Sequence, residues 1–235
     1  MAISIIIPTY NEEKSISDLL KHLKAGISSY PESEIIVVDG DSEDKTAEIV
    51  ESLGIRCIIS ERKGRAAQMN VGAEHSVNDI LYFVHADSFP PVSFAEDISE
   101  SLKMGFESGC YRYKFDHYPT PLLKINSYCT RFDRIMVRGG DQTLFITRSL
   151  FDKLGGFRED FRIMEDYDLI EKIQNNAEFR IIQKDAIVSS RKYNDNGYFR
   201  VQIANLTVFM MYFAGASQEM MCHAYKNMLN YPKAG

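Results

Sequence analysis

Five short polar clusters carry the residue types from which a binding site could be built. Four of them directly follow apolar stretches and the fifth lies late in the chain; they read PTYNEE (8–13), VVDGDSEDKT (37–46), ERKGRAAQMN (61–70), HAD (85–87) and MED (164–166). A carboxylate such as Asp87 can bind a divalent cation, and one such as Asp166 can accept a proton. An arginine at the start of a helix, as at Gly64-Arg65, offers donors and positive charge to an anion. The clusters predict a site for a charged ligand if the fold brings them together.

The strands and helices between the clusters are expected to bring the clusters together. Largely apolar stretches with the length of strands occur at 3–7, 34–38, 56–60 and 80–84. The segments between them have helical apolar spacing, as at Ile16, Leu19, Leu20 and Leu23. Fully apolar strands separated by amphipathic helices indicate an α/β fold with a parallel sheet covered on both faces. Right-handed crossovers bring the carboxyl ends of such strands to one edge, where ligands bind.

The second half of the chain is expected to be more mixed. The pattern predicts strands at 110–115 and 142–146, helices at 121–137 and 164–174, short strands at 179–183 and 186–190, and two C-terminal helices.

Composition narrows the classes of function. The chain has 235 residues and a net charge of −6, which does not favour sequence-independent binding to nucleic acid. Its four cysteines are scattered without metal-ligand spacing, and the first residues form a strand pattern rather than a signal peptide. These features predict a cytoplasmic protein. The apolar stretch at 201–215 is too short and too polar to span a bilayer and is expected to be a buried or surface-lying helix.

In their order and spacing, four of the clusters, PTYNEE, VVDGDSEDKT, HAD and MED, resemble those of the family 2 glycosyltransferases of the GT-A fold, over residues 3–193. The GGDQ and GGF segments add a weaker likeness to short bacterial members of the arsenosugar-biosynthesis type. The resemblance implies a Rossmann-like α/β/α sandwich with a mostly parallel sheet over 1–195 and C-terminal helices (196–235) packed on the same domain. It also implies metal-dependent transfer of a sugar, with inversion, from a nucleoside diphosphate to a hydroxyl acceptor.

The resemblance assigns the nucleotide to the first two clusters, and the helix start at Gly64-Arg65, which suits an anion, adds the third. The turn that would line it contains Pro8, Thr9, Tyr10, Asn11 and Glu12, although helix capping by Asn11 is an alternative use of this turn. Asp39 would accept a hydrogen bond from the N–H of a base. Uracil is preferred over guanine, so a UDP-sugar is the expected donor. Gly64 and Arg65 would contact the nucleotide.

The HAD cluster is expected to hold the metal. Family members carry an Asp-x-Asp here, and its last residue corresponds to Asp87, which would bind Mn²⁺ or Mg²⁺ on the donor diphosphate. His85 replaces the first aspartate and is expected to support the site rather than to bind the metal. Ala86 keeps the strand end narrow enough for the diphosphate to approach.

The MED cluster would supply the catalytic base. By resemblance, Asp166 takes the proton of the acceptor hydroxyl and Glu165 shapes the acceptor pocket. The alternative is an acidic first turn stabilised by the helix dipole.

A third group is predicted to contact the diphosphate, donor sugar or acceptor. Arg138, with Arg134 beside it, would bind an anionic group, and Asp141 and Gln142 lie in the GGDQ segment near the donor sugar. Arg191 is expected to contact the diphosphate. Alternatively, Arg134 and Arg138 only belong to the solvent-exposed face of a helix.

Two other functions remain open. A sugar-1-phosphate nucleotidylyltransferase would share the topology, but its expected Gly-rich loop is replaced by PTYNEE. The other is a non-catalytic module that binds sugar nucleotides or a membrane surface, and the apolar C-terminal helix leaves peripheral membrane contact open. The sequence does not identify the sugar, the acceptor or the oligomeric state.

Overall fold

A single eight-stranded sheet organises the molecule. The structure, a computed structural model, describes residues 1–229. The strands are β1 (Ser4–Thr9), β2 (Glu34–Asp39), β3 (Arg56–Ile59), β4 (Ile80–Phe83), β5 (Ser88–Phe89), β6 (Ser108–Phe115), β7 (Leu144–Thr147) and β8 (Phe179–Val188). Their order across the sheet is β3-β2-β1-β4-β7-β6-β8-β5. Four of the seven neighbouring pairs are parallel, and the antiparallel pairs are β4–β7, β6–β7 and β5–β8.

Helices cover the sheet. They are α1 (Ile16–Gly26), α2 (Thr46–Ser52), α3 (Arg65–His75), α4 (Phe94–Lys103), α5 (Leu122–Cys129), α6 (Arg148–Leu154), α7 (Glu165–Asn176), α8 (Arg191–Asn196), α9 (Tyr198–Phe213) and α10 (Gln218–Met228). None of the helices in residues 1–229 is long and apolar enough to cross a membrane.

Strand β1 shows how the sheet buries both faces. Ile5 and Ile7 pack on one face with Phe94 of α4, while Ile6 packs on the other with Met69 of α3. Alternate side chains of a strand point to opposite faces, so both faces must be apolar here. The predicted three-layer α/β fold is confirmed.

The carboxyl ends of the first strands meet at one edge, as the sequence predicts. The parallel register places Thr9 beside Asp39, and Asp39 beside Ile59 at the end of β3. β4 pairs with the other side of β1 and ends just before His85. The first four polar clusters therefore share one edge.

The predicted helix at 121–137 is wrong beyond Cys129. The side chain of Thr130 turns back to donate to the carbonyl of Ser127 at 2.7 Å, and a short 3₁₀ turn at Ile135–Val137 follows. The Arg138 guanidinium donates to the carbonyls of Thr130 and Phe132, so those groups need no amide from a following helical turn. The predicted apolar face is also largely exposed, and Leu123 is the buried residue of α5.

Other boundaries differ as well. The predicted strand at 142–146 begins only at Leu144, because Gln142 belongs to a 3₁₀ turn and Thr143 has a φ of +61°. The two predicted strands at 179–183 and 186–190 form one strand, β8, and the register shifts between Tyr111 and Arg112 where β6 pairs with it. Helices α4 and α6 were not among the predicted elements.

The two predicted C-terminal helices are α9 and α10. They pack on the α/β unit: Tyr212 donates to Glu171 Oε2 at 3.1 Å, and Gln218 Oε1 accepts from the amide of Arg162 at 3.0 Å. Residues 230–235 of the predicted helical segment lie outside the described residues.

Candidate active site

Asp39 joins the ends of β1 and β2 to the loop that follows. It is fully buried, and its two carboxylate oxygens accept from the amide and the hydroxyl of Ser42, both at 2.7 Å. The hydroxyl of Thr9 lies 3.1 Å from Oδ2. The carboxylate is thus held rigidly at the strand edge by three protein donors.

The PTYNEE turn is built differently from a helix cap. Helix α1 starts only at Ile16, so the alternative that Asn11 caps it is wrong. Asn11 has a φ of +54° and ties this turn to the next loop: its amide donates to Ser42 Oγ at 2.8 Å and its side-chain oxygen accepts from the amide of Glu43. Pro8 is buried, while Tyr10 is exposed and Glu12 accepts from Ser15 Oγ at 2.8 Å. The exposed Tyr10 ring is free to pack on a flat ligand.

Gly64 and Arg65 start α3 at the same edge. Gly64 has a φ of +106°, a conformation that suits glycine, and it caps the helix. The Arg65 guanidinium pairs with the buried carboxylate of Glu165, and its Nη2 lies 3.9 Å from Asp166 Oδ2. Burial opposes the charge of Arg65, but Glu165 and Asp166 outweigh it and raise the pKa of Arg65. Arg65 therefore stays cationic and links the third cluster to the fifth.

His85 lies between two carboxylates. Its Nδ1 is 3.9 Å from Asp141 Oδ1 and its Nε2 is 4.0 Å from Asp166 Oδ2. Burial and the charge of Arg65 act to lower the pKa of His85, but Asp141 and Asp166 prevail and raise it. The imidazole therefore lies within ion-pair distance of both carboxylates, and its supporting role stays a prediction.

Asp87 and Asp141 interact through their charges. Burial and the negative charge of Asp141 raise the pKa of Asp87, against the opposing charges of His85, Arg191 and Arg65. Partial desolvation acts to raise the pKa of Asp141, whose side chain is 65% exposed, but His85 and Lys192 hold it below its usual value. Ala86, which lies between His85 and Asp87 in the chain, is buried in the core.

These residues fit a divalent cation that takes few protein ligands. No cluster of three or more His, Cys, Asp or Glu side chains with metal-binding geometry occurs in residues 1–229. Hard cations such as Mg²⁺ accept one or two carboxylates together with diphosphate oxygens and water. The mutual repulsion of Asp87 and Asp141 would be relieved by such an ion, so Asp87 is a suitable ligand and Asp141 is a further one.

Glu165 and Asp166 begin α7 at the centre of the site. Glu165 is fully buried, and its Oε2 has no hydrogen-bond partner among the described residues. Burial raises its pKa, with Arg65 opposing this and Asp166 adding to it. The Asp166 side chain is 13% exposed, so a ligand in the cleft can reach it.

Arg138 occupies a different environment from the one predicted. It is 3% exposed, and its guanidinium donates to the Thr130 carbonyl at 2.6 Å, to the Phe132 carbonyl and to Cys110 Sγ at 3.1 Å. These contacts give Arg138 a structural role, and Arg134 is exposed outside any helix. Gln142 is buried with neither amide atom partnered among the described residues, which leaves its donor and acceptor available.

Arg191 and Lys192 approach from the start of α8. Arg191 is exposed, and its Nη2 lies 4.0 Å from Glu12 Oε1. The Lys192 ammonium donates to Asn205 Oδ1 at 3.2 Å and lies 4.9 Å from the centre of the Tyr225 ring. Burial lowers the pKa of Lys192 to about 8, with Arg65 adding to this and Asp141 offsetting part of it.

The sequence did not single out Lys192 or the tyrosines near it. The charge of Asp141 acts on four tyrosines from separate elements, and these are Tyr113, Tyr167, Tyr193 and Tyr225. No local pattern marks them, because they come from β6, α7, α8 and α10 and meet only through the fold. Asp141 is thus the charge that these tyrosines share, and Lys192 lies over the ring of one of them, Tyr225.

The model of the family described as Glycosyl transferase family 2 matches residues 4–153. The chain belongs to glycosyltransferase family 2. This confirms the family resemblance and decides against the nucleotidylyltransferase alternative.

A curated relative and two solved structures agree with this membership. An uncharacterized glycosyltransferase of Haemophilus influenzae is 29% identical over 195 residues, covering 75% of this chain and 63% of the relative. This chain therefore spans less than two thirds of that relative's length. The mannosyltransferase PcManGT of Pyrobaculum calidifontis, solved with GDP-Man and Mn²⁺, has a TM-score of 0.68 at 18% identity, covering 96% of this chain and 69% of that one. TarS 1–349 of S. aureus, solved with UDP, has a TM-score of 0.65 at 21% identity, covering 98% and 71%. At these identities, the two structures support the GT-A fold.

Proposed function

We propose that the protein transfers a sugar from a nucleoside diphosphate to a hydroxyl acceptor, with inversion and with a divalent cation. The observation that carries the proposal is the position of Asp166, within 4.0 Å of both His85 and Arg65. This brings the late acidic cluster to the edge where the first four clusters meet. The nucleotide complexes of the structural relatives, one of which also holds Mn²⁺, support the same class of donor.

Each part of the site has a role in this reaction. The acceptor oxygen forms a bond to the anomeric carbon as the bond from that carbon to the diphosphate oxygen breaks, and Asp166 takes the hydroxyl proton. Arg65 and His85 orient the Asp166 carboxylate. The unpartnered Glu165 Oε2 and the amide of Gln142 accept or donate hydrogen bonds to sugar or acceptor hydroxyls. Arg191 contacts the diphosphate, and Tyr10 and Asp39 hold the base.

Mn²⁺ or Mg²⁺, when bound, would supply positive charge to the departing diphosphate. Asp87 would hold it, with Asp141 alongside. Because we assign the contact with the nucleotide base to Asp39, for which uracil is the preferred partner, we expect a UDP-sugar as donor.

Calorimetric titration with UDP, GDP, TDP and ADP, with and without Mn²⁺, tests the donor site. We expect one nucleotide to bind in the presence of metal, and Asp87→Ala to abolish that metal dependence. Asp152→Ala, an exposed aspartate on α6, is the matched control and should bind like the wild type. If no nucleotide binds under any condition, the donor site is refuted.

The stereochemical outcome is tested separately. Glycosyltransferases can release the donor sugar slowly to water, and proton NMR taken before mutarotation identifies the anomer formed. We expect the anomer opposite to that of the donor, because a single displacement at the anomeric carbon inverts it. A product with the donor's own configuration contradicts the proposed mechanism.

A further inference from the structure

Helix α9 presents a continuous apolar stripe to the outside of the molecule. Five large apolar side chains of this helix are 51–71% exposed, and they are Phe199, Ile203, Leu206, Met210 and Phe213. Their spacing of four, three, four and three residues is that of one helix face. The opposite face holds Val201, Ala204 and Val208, which are buried against the domain. The outward stripe is thus not the core-facing side of the helix.

The stripe adjoins the candidate site. Tyr167, next to the base Asp166, packs its ring 6.0 Å from that of Phe209, and Phe209 packs 4.7 Å from the exposed Phe213. At its other end α9 meets α5, where the Tyr198 hydroxyl donates to Asn126 Oδ1 at 3.1 Å. Next to that contact, Ile125 and Tyr128 of α5 are also more than half exposed.

Charge is distributed unevenly around these helices. The chain has 27 Lys and Arg residues and 33 Asp and Glu residues. The segments 121–138 and 191–229 hold eight of the basic and three of the acidic residues, so nineteen basic and thirty acidic residues lie elsewhere. Without Arg138, which is buried against backbone carbonyls, the segments that carry the exposed apolar residues have a net charge of +4 within a protein of net charge −6. Apolar side chains combined with basic residues fit a bilayer surface that contains anionic lipids.

We propose that the stripe of α9, with the exposed residues of α5, docks the protein on an anionic membrane surface. The helix has 16 residues and is about 24 Å long, shorter than the roughly 30 Å hydrocarbon core, so it lies in the interface rather than crossing it. Docking in this way would set the acceptor side of the cleft against the lipid surface. This deepens the proposed function, since it places the hydroxyl acceptor at the membrane, but docking itself is measured without catalysis.

Vesicle co-sedimentation tests the docking. The wild type should bind phosphatidylcholine vesicles that contain phosphatidylglycerol, bind less well without it, and be released by salt, since salt screens surface charge. The triple variant Ile203→Gln, Leu206→Gln, Met210→Gln should bind at least about tenfold more weakly, because three apolar anchors are lost. The control triple Ile59→Gln, Val77→Gln, Met104→Gln removes equally exposed apolar residues elsewhere and should bind normally. Equal binding by both triples, or no binding by the wild type, overturns the proposal.

A fluorescence probe reports docking without removing the stripe. The chain has no tryptophan, so Phe199→Trp introduces a single emitter on α9 and Val77→Trp a single emitter elsewhere. We expect a blue shift on addition of anionic vesicles for the first variant alone. No shift at position 199, or an equal shift at both, contradicts the proposal. Self-association that the Gln triple abolishes, without vesicle binding, would identify a second copy as the partner and also overturn it.

Nucleotide titration of the Gln triple variant distinguishes a failure of the docking proposal from a failure of the proposed donor site. The triple should bind nucleotide like the wild type. Loss of vesicle binding with nucleotide binding retained supports docking alone. A wild type that binds vesicles but no nucleotide keeps the docking proposal and refutes the proposed function.

Discussion

Asp166 is the side chain whose chemistry the proposed reaction needs most. Asparagine has nearly the same shape as aspartate, but its amide cannot take the hydroxyl proton. We expect Asp166→Asn to lower kcat by about 10²–10⁴-fold, the usual contribution of a general base. Steady-state kinetics together with calorimetric nucleotide titration measure the change.

Nucleotide affinity should be retained in this variant, since the base acts on the acceptor. Asp152→Asn, on the exposed surface of α6, provides the control for a lost carboxylate and should have wild-type turnover. Near-wild-type kcat in Asp166→Asn would rule out its role as the base.

Arg138 is expected to act on stability. Replacing it by Met keeps much of the buried side-chain volume but leaves the carbonyls of Thr130 and Phe132 without their donor. Buried unsatisfied acceptors cost about 1–3 kcal/mol each, so we expect the loss of the donor to both carbonyls to lower the free energy of unfolding by about 2–6 kcal/mol. Urea denaturation measures this change.

Nucleotide binding by the folded fraction of Arg138→Met should be unchanged. If instead the unfolding midpoint stays constant while the donor or acceptor KM rises, Arg138 belongs to the binding site after all.

Lys192 should make stability depend on pH. Its pKa is lowered to about 8 in the folded protein, chiefly by burial, from about 10.5 in the unfolded chain. Between these values the unfolded state binds more protons, so stability rises with pH, and the charged lysine is unfavourable below about pH 8. We expect the unfolding free energy of Lys192→Met, relative to the wild type, to decrease as pH rises from 7 to 10.

Chemical denaturation at several pH values measures this difference. Lys103→Met, at an exposed lysine at the end of α4, serves as the control and should not show this trend. A difference for Lys192 that is constant with pH would contradict its burial in the cleft.

Strand β6 depends on the absence of a side chain at Gly109. A Cβ at this position would lie 2.4 Å from the carbonyl oxygen of Arg180 on β8 and 2.6 Å from the ring of Phe145 on β7. Backbone cannot move aside easily in the middle of a sheet, so Gly109→Ala should destabilise the fold by about 1–3 kcal/mol. Thermal and urea unfolding measure the loss.

Gly139→Ala is the matched control for the strand variant. The nearest atom to its added Cβ is 4.0 Å away, on Tyr167. It should change stability by less than about 1 kcal/mol. Equal effects at the two positions would mean that close packing of β6 between β7 and β8 is not what requires Gly109.

The strands and helices of the first half of the chain were predictable because the apolar pattern of each one agrees with its position in the fold. Strands β1, β2 and β4 are largely apolar on both faces and each intervening helix carries buried residues, so the sequence period alone indicates the fold. The region around α5 shows where this fails. Leu122, Ile125 and Tyr128 have helical apolar spacing, but the fold leaves Ile125 and Tyr128 exposed, so the pattern does not reveal which face is buried.

The residues of the candidate site could be predicted from the sequence only in part. Clusters at strand ends, such as Asp39 and Asp87, are marked by the apolar run before them. Lys192 and Tyr225 have no such mark, because they reach the cleft through the packing of α8 and α10. The role of Arg138 was also hidden, since an arginine that binds carbonyls and one that binds a phosphate look alike in sequence.

The C-terminal helices should unfold together with the α/β unit. Contacts such as Tyr212 with Glu171 and Phe161 tie α9 to that unit, and Gln218 ties α10 to the loop before α7. Two native thiols report on the two parts, Cys57 in β3 and Cys222 in α10. Burial, together with the charges of Asp39 and Glu51, raises the pKa of Cys57 to about 11, and burial raises that of Cys222, so both should react slowly in the folded state. We expect alkylation of both, followed by mass spectrometry of their peptides, to increase at the same urea concentration. Modification of Cys222 at distinctly lower urea would show that α10 opens independently, and the single-domain organisation would then be wrong.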